Sequence, residues 1–244
     1  MNRIENLDYI LRVLMREQEV HTALPGSLPE KQRLMRALMN TRPPWPASDE
    51  FLAAQDSELQ MQMQEKGVVE VESGLWQGDI TRLKVDAIVN AANSQMMGCW
   101  HPLHACIDNC IHSAAGIQLR DECHHLMQGS ELPTGEARIT KAYNLPCRYV
   151  IHTVGPIVSD GRPTPKQREQ LADCYRNCLG LAEANGCRSI AFCCISTGVF
   201  GYPNREAAEV AIETVKTYNS TINVVFNVFK DNDYDIYREL LAKN

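Results

Sequence analysis

From Val68 onward the chain alternates short apolar runs with longer amphipathic ones, and this rhythm limits its folds more than any other feature. Candidate strands are VVEVES with LWQGDI, then VDAIVNAAN, ARITKAY, YVIHTVG, SIAFCCIS and INVVFNVFK. Several are continuous β-branched or apolar runs, as expected of strands covered on both faces. Between them lie the helical patterns HACIDNCIHSAAGIQLRDECHHLM, PKQREQLADCYRNCLGLAEAN and REAAEVAIETVKTYN, with DNDYDIYRELLAKN at the end. The alternation predicts a three-layer α/β domain with a largely parallel sheet. Ligands of such sheets bind at the carboxyl ends of the strands, so the chemistry is expected just after VDAIVNAAN and SIAFCCIS.

The first 66 residues read differently. Ile4, Leu7, Ile10, Leu11, Val13 and Leu14 recur at helical spacing, Pro29 opens a second helix, and DEFLAAQDSELQMQMQEKG forms a third. The break RPPWPAS separates the second from the third. Three short helices make a small core alone, so residues 1–66 are expected as a helical extension packed on a main domain of residues 67–244.

The net charge of −6 argues against a broad nucleic-acid face, which would be basic. It leaves a nucleotide ligand open, since backbone N–H groups hold phosphates without lysine. No run approaches the roughly 18 apolar residues of a membrane helix, and the charged N-terminus does not read as a signal peptide. A cytoplasmic protein is therefore expected. Its ten cysteines then read as small apolar residues, metal ligands or reactive thiols rather than disulfides. Cys174, Cys178, Cys187, Cys193 and Cys194 are expected to pack as apolar residues.

Four segments at or beyond strand ends could carry chemistry. In GDIT, residues 78–81, a buried Asp79 could accept hydrogen bonds from an amino group, or simply cap a turn. In VNAAN, Asn90 and Asn93 offer donors and acceptors suited to sugar hydroxyls, although asparagine leaving a strand is also a common turn former. In CWHPLHAC, Cys99, His104 and Cys106 present thiolate and imidazole at short spacing, the donor set zinc prefers. His104 and Cys106 are expected at a helix start, where the dipole favours thiolate. Three ligands and a vacancy mark a catalytic zinc. His101, Cys110 and His112 are rival ligands, Cys110 would close a four-ligand structural site, and three unremarkable buried residues are the bland reading. In STGVFGYP, residues 196–203, Gly198 and Gly201 let successive N–H groups approach a diphosphate, without any Walker pattern. Asp108 is the one carboxylate near the candidate metal loop, and it fits either a base toward water or a helix first-turn acid.

Taken together and in order, GDIT, VDAIVNAAN, the helix IDNCIHSAAG and STGVFGYP resemble the macrodomain family over roughly residues 68–240. The resemblance implies an α/β/α macrodomain with a mixed, largely parallel sheet, binding ADP-ribose and in many members hydrolysing it from proteins. Most hydrolytic macrodomains have a glycine run before this helix. Here Gly98 and CWHPLHAC replace it, which is similar to the microbial zinc-containing branch, often encoded beside a sirtuin-like ADP-ribosyltransferase. That likeness implies Zn2+ on Cys99, His104 and Cys106. It implies Asp79 and Ile80 at the adenine, Phe229 stacked on it, and the backbone of Ser196, Thr197, Gly198, Val199 and Phe200 at the diphosphate. It also implies Asn93 and Asp108 at the distal ribose as catalytic residues. The implied activity is zinc-dependent removal of mono-ADP-ribose from modified proteins, and the linkage expected is an ester to an Asp or Glu side chain. A non-catalytic ADP-ribose reader and an O-acetyl-ADP-ribose deacetylase use the same residues.

Overall fold

The structure is a computed structural model and describes residues 2–243. Three helices come first: α1 (Arg3–Glu17), α2 (Leu28–Thr41) and α3 (Asp49–Lys66). Each starts where the sequence supplies a side-chain cap, Asn2, Ser27 and Ser48, and the first two caps are reciprocated by Glu5 and Glu30. Leu7, Ile10, Leu11 and Leu14 are fully buried among Met35, Leu38 and Phe51. Each such burial is worth about 1.5–3 kcal/mol relative to exposure. Ile117, from the later part of the chain, inserts into this same apolar cluster, so the extension and the sheet domain share a seam.

The remainder runs β1 (Gly74–Gln77), a 3-10 turn (Ile80–Arg82), β2 (Ala87–Ala91), α4 (Ile107–Ala115), α5 (Ile117–Met127), β3 (Ala137–Lys141) and β4 (Tyr149–Thr153). It continues through α6 (Pro165–Ala184), β5 (Ser189–Phe192), α7 (Asn204–Tyr218), β6 (Asn223–Val228) and α8 (Asp231–Ala242). The six strands form one sheet in the order β1-β6-β5-β2-β4-β3. All neighbours are parallel except the edge pair β3–β4. Helices α4 and α5 pack on one face and α6, α7 and α8 on the other, giving the three-layer macrodomain architecture. Parallel pairing brings the carboxyl ends of β1, β6, β5, β2 and β4 to one edge, and every segment singled out from the sequence lies there.

Two expected elements differ. VVEVES is not a strand: Val69 makes only an isolated bridge to Leu83, because its partner is the short stretch leaving a 3-10 turn. The long helix expected through HACIDNCIHSAAGIQLRDECHHLM starts only at Ile107 and breaks at Gly116 (φ 101°). A Cβ at Gly116 would meet Gln55 Nε2 at 2.7 Å, and Gln55 Oε1 accepts from the Ile117 N–H at 3.0 Å. Helix α3 thereby caps the orphan first turn of α5.

Candidate active site and metal centre

The site is built on β2. Asn90, fully buried, faces His152 across the β2–β4 register. Its Nδ2 donates to Asp108 Oδ1 (2.8 Å) and to His152 Nδ1 (3.1 Å). Nδ1 of His152 is then an acceptor, so the proton sits on Nε2, which donates to Thr140 Oγ1 at 3.0 Å. Burial holds His152 neutral, its pKa down at about 3. The same cause holds His112 neutral, so its 3.5 Å approach to Asp108 is not an ion pair. Asp108 is buried from the first turn of α4, and burial raises its carboxyl to about 6, opposed by the Asn90 hydrogen bond and the charge of Arg120. Asn93, half-buried just past β2, donates to Gly98 O (3.0 Å) and approaches Asp108 Oδ2 (3.4 Å).

The CWHPLHAC loop follows. Ligand atoms of Cys99, His104 and Cys106 all lie within 4.8 Å of one another. Cys99 Sγ stands 3.6 Å from His104 Nδ1. Two thiols and an imidazole, half-buried and converging, fit a thiophilic divalent cation. The rivals fall elsewhere: His101 makes an edge-on ring contact with His104, and Cys110 Sγ turns to Arg36 (3.8 Å). His112 joins a separate buried group with Cys123 and His152.

Of two local expectations, one is corrected and one holds. His104 precedes the helix rather than starting it, and Cys106 is the N-cap residue, its Sγ accepting from Asn109 N–H at 3.4 Å. Burial pushes the Cys106 thiol up to about 12, with the Cys99 thiol adding to the rise, so coordination of a cation is what would hold it as thiolate.

At the other end of the cleft, Asp79 is half-exposed rather than buried, and it caps its own turn. Its Oδ1 accepts from Thr81 N (3.0 Å) and Oγ1 (2.6 Å), leaving Oδ2 3.5 Å from Lys66 Nζ. Ile80 is buried beside it. Gly78 N donates to Val228 O, and Asn227 Nδ2 to Gly78 O, both at 2.9 Å; this ties GDIT to the end of β6, where Phe229 projects 75% exposed. Between them lies the 196–203 loop. Ser196 is buried at φ 67°, and Tyr202 N returns to Ser196 O at 3.0 Å. Among the described residues the amides of Thr197, Gly198, Val199 and Phe200 have no protein acceptor, forming a row of free donors.

Sequence reasoning missed Arg36, Asn40, Asn109, Arg120 and His152. Arg120 had a signal, since it falls in helical register between buried Ile117 and Cys123. Buried and drawn down to about 10 by desolvation, it donates to Met97 O (2.7 Å), Met39 O (3.0 Å) and Arg42 O (2.7 Å) and lies 4.1 Å from the Trp100 ring centroid.

A macrodomain sheet with its ligand-facing groups gathered at one strand edge defines the class. The Macro domain profile matches residues 89–211, and the chain belongs to the macrodomain family. It is 48% identical to a protein-ADP-ribose hydrolase of Treponema medium over 99% of this chain and 100% of that one. It is 44% identical to a protein-ADP-ribose hydrolase of Staphylococcus aureus (strain MSSA476), over 98% and 96%. A Trypanosoma brucei macrodomain solved in complex with ADP-ribose is similar at a TM-score of 0.65 and 30% identity, over 84% of this chain and 94% of that one.

Proposed function

We propose that the chain is a zinc-dependent hydrolase that removes mono-ADP-ribose from Asp or Glu side chains of modified proteins. Residues 1–66 serve as a helical extension of a catalytic domain spanning 67–244. The reading is carried by one observation: Cys99, His104 and Cys106 converge at the end of β2, in the chain neighbourhood of Asn93 and Asp108. Relatives similar over the whole chain and named protein-ADP-ribose hydrolases support it. We also place the protein in the cytoplasm, acting on marks written by a sirtuin-like ADP-ribosyltransferase; the acidic charge, the ten cysteines and the CWHPLHAC loop support that setting.

In this reading Asp79 Oδ2 accepts from the adenine amino group, with Ile80 beside it, while the exposed Phe229 covers the ring. The free amides of Thr197 to Phe200 hold the diphosphate, as N–H rows do for anions. Zinc on Cys99, His104 and Cys106 would supply Lewis acidity and a fixed point for the sugar. Asn93 orients the distal ribose. A water oxygen adds at the anomeric carbon as the bond to the target carboxylate breaks, and that carboxylate leaves as the anion. Asp108, kept in place by Asn90, accepts the proton the water loses. A carboxylate is already a fair leaving group, so no strong general acid is required.

The test is release of ADP-ribose from Asp/Glu-modified, Ser-modified and Arg-modified proteins, with and without chelator. Release from the Asp/Glu-modified protein alone, lost with chelator and regained with Zn2+, is expected. Chelator-resistant release overturns the metal, and equal release from all three overturns the linkage. Binding without release makes the protein a reader.

A further inference from the structure

The metal loop makes few hydrogen bonds of its own. Residues 99–106 contain no regular element, and within them only His104 N closes a turn, onto His101 O at 3.2 Å. Leu103 sits at φ 59°, a sparsely populated conformation for a non-glycine residue that needs outside support. That support comes from α2, more than sixty residues earlier. Asn40 is buried; its Oδ1 accepts from Leu103 N at 2.9 Å and its Nδ2 donates to Ser113 Oγ at 2.9 Å. Arg36 Nη2 donates to His104 O at 2.9 Å and to Asn109 Oδ1 at 2.8 Å. Asn109 passes the contact on, its Nδ2 donating to His101 O at 2.9 Å and its backbone N–H to Cys106 Sγ. Two side chains of α2 thus reach the backbone on either side of one expected ligand and, through Asn109, the sulfur of another.

These are bridges rather than a continuous apolar interface. A cleft of about 520 Å3, lined by Arg36 and Met39 of α2, Met63 of α3, and Cys110 and Ala114 of α4, separates the helices beside them.

We propose that helix α2 is part of the metal centre: Arg36 and Asn40 are positioning residues that fix His104 and Cys106 and so set how tightly the loop retains a thiophilic divalent cation. This rests on the zinc reading given above. Outer partners of metal ligands typically contribute about 10–100-fold in affinity, and here they are supplied by the N-terminal helices.

The experiment is titration of the metal-free full-length chain with Co2+ and Zn2+, read by the Co2+–thiolate absorption and by competition with a chromophoric chelator. Wild type is compared with Arg36→Ala, Arg36→Lys, Asn40→Ala and Cys99→Ser. Arg36→Ala is expected to retain metal about 10–100-fold less tightly and to alter the Co2+ band. Arg36→Lys, which keeps the charge but lacks the fork reaching two acceptors, is expected to fall in between, and Asn40→Ala to lose less than Arg36→Ala. A purely structural contribution would lower the thermal midpoint and leave the affinity and band of the folded protein unchanged; that result overturns the proposal. Equal metal uptake by wild type and Cys99→Ser would overturn the zinc reading itself, and this inference with it. Normal wild-type uptake with unchanged variants overturns only the role of α2. If Arg36→Ala does not fold, Arg36→Lys and Asn40→Ala decide the matter.

Discussion

Two loops follow the carboxyl ends of the neighbouring parallel strands β2 and β5, and they are built on contrasting plans. The 196–203 loop is held mainly by backbone hydrogen bonds: Tyr202 N returns to Ser196 O and Gly201 N to Gly198 O within the loop, and Phe200 O accepts from Val158 N of the neighbouring segment. The 99–106 loop is held largely by side chains from elsewhere: Arg36 and Asn40 on α2 and Asn109 on α4 hydrogen-bond its backbone, and Arg120 on α5 lies over the Trp100 ring. A backbone-built loop can leave a row of amides free for an anion. A side-chain-built loop can hold soft ligand atoms in one geometry while offering few free amides. On the proposed function the two loops are therefore separable, the 196–203 loop serving binding and the 99–106 loop chemistry.

The largest expected effect tests that separation directly. Cys99→Ser removes one of the three converging ligands and touches nothing in the 196–203 loop. Turnover on an Asp/Glu-modified protein is expected to fall by about 100-fold or more, the scale of losing several kcal/mol of metal-assisted stabilisation. Affinity for free ADP-ribose, measured calorimetrically, is expected to stay within about threefold, because on this reading the adenine and diphosphate contacts made elsewhere carry most of the binding. A parallel collapse of affinity would mean that the metal loop is a binding element as well.

Gly155 gives the reciprocal test. A Cβ there would collide with Ser196 Oγ and come within 2.7 Å of Ile195 Cγ2, so Gly155→Ala must displace those side chains at the start of the 196–203 loop. Overpacking of this kind costs about 1–3 kcal/mol of stability. Weaker ADP-ribose binding with unchanged Zn2+ uptake is expected. Joint loss of both would break the comparison.

The same contrast explains what was legible beforehand. The sheet was readable because parallel strands buried on both faces leave unbroken runs such as AIVN, whose four residues are all buried in β2. The 196–203 loop was readable because its glycines are local consequences of its backbone path. Cys99, His104 and Cys106 were readable as donor types at short spacing. Arg36 and Asn40 were not, since their partners lie more than sixty positions away and nothing in QRLMRALMN distinguishes a bridging arginine from a solvated one. The break at Gly116 was hidden for the same reason, being fixed by Gln55 of a distant helix. Of the two readings of Asp79, the turn cap held: Thr81 claims one of its oxygens, and the carboxylate is half-exposed rather than buried.

The smallest expected effect is the sharpest statement of how the 196–203 loop works. Val199 stands at the tip, 86% exposed, and its side chain supports nothing around it. If the loop binds through its amides, the side chain is incidental, and Val199→Ala is expected to change stability by no more than about 0.5 kcal/mol. ADP-ribose affinity should stay within about twofold, since the N–H row and its geometry are preserved. Val199→Pro, which deletes one of the four free donors, should weaken binding measurably while leaving metal uptake alone. Should Val199→Ala cost as much affinity as Val199→Pro, the loop reads its ligand through side chains, as the metal loop is held, and the two would share one plan after all.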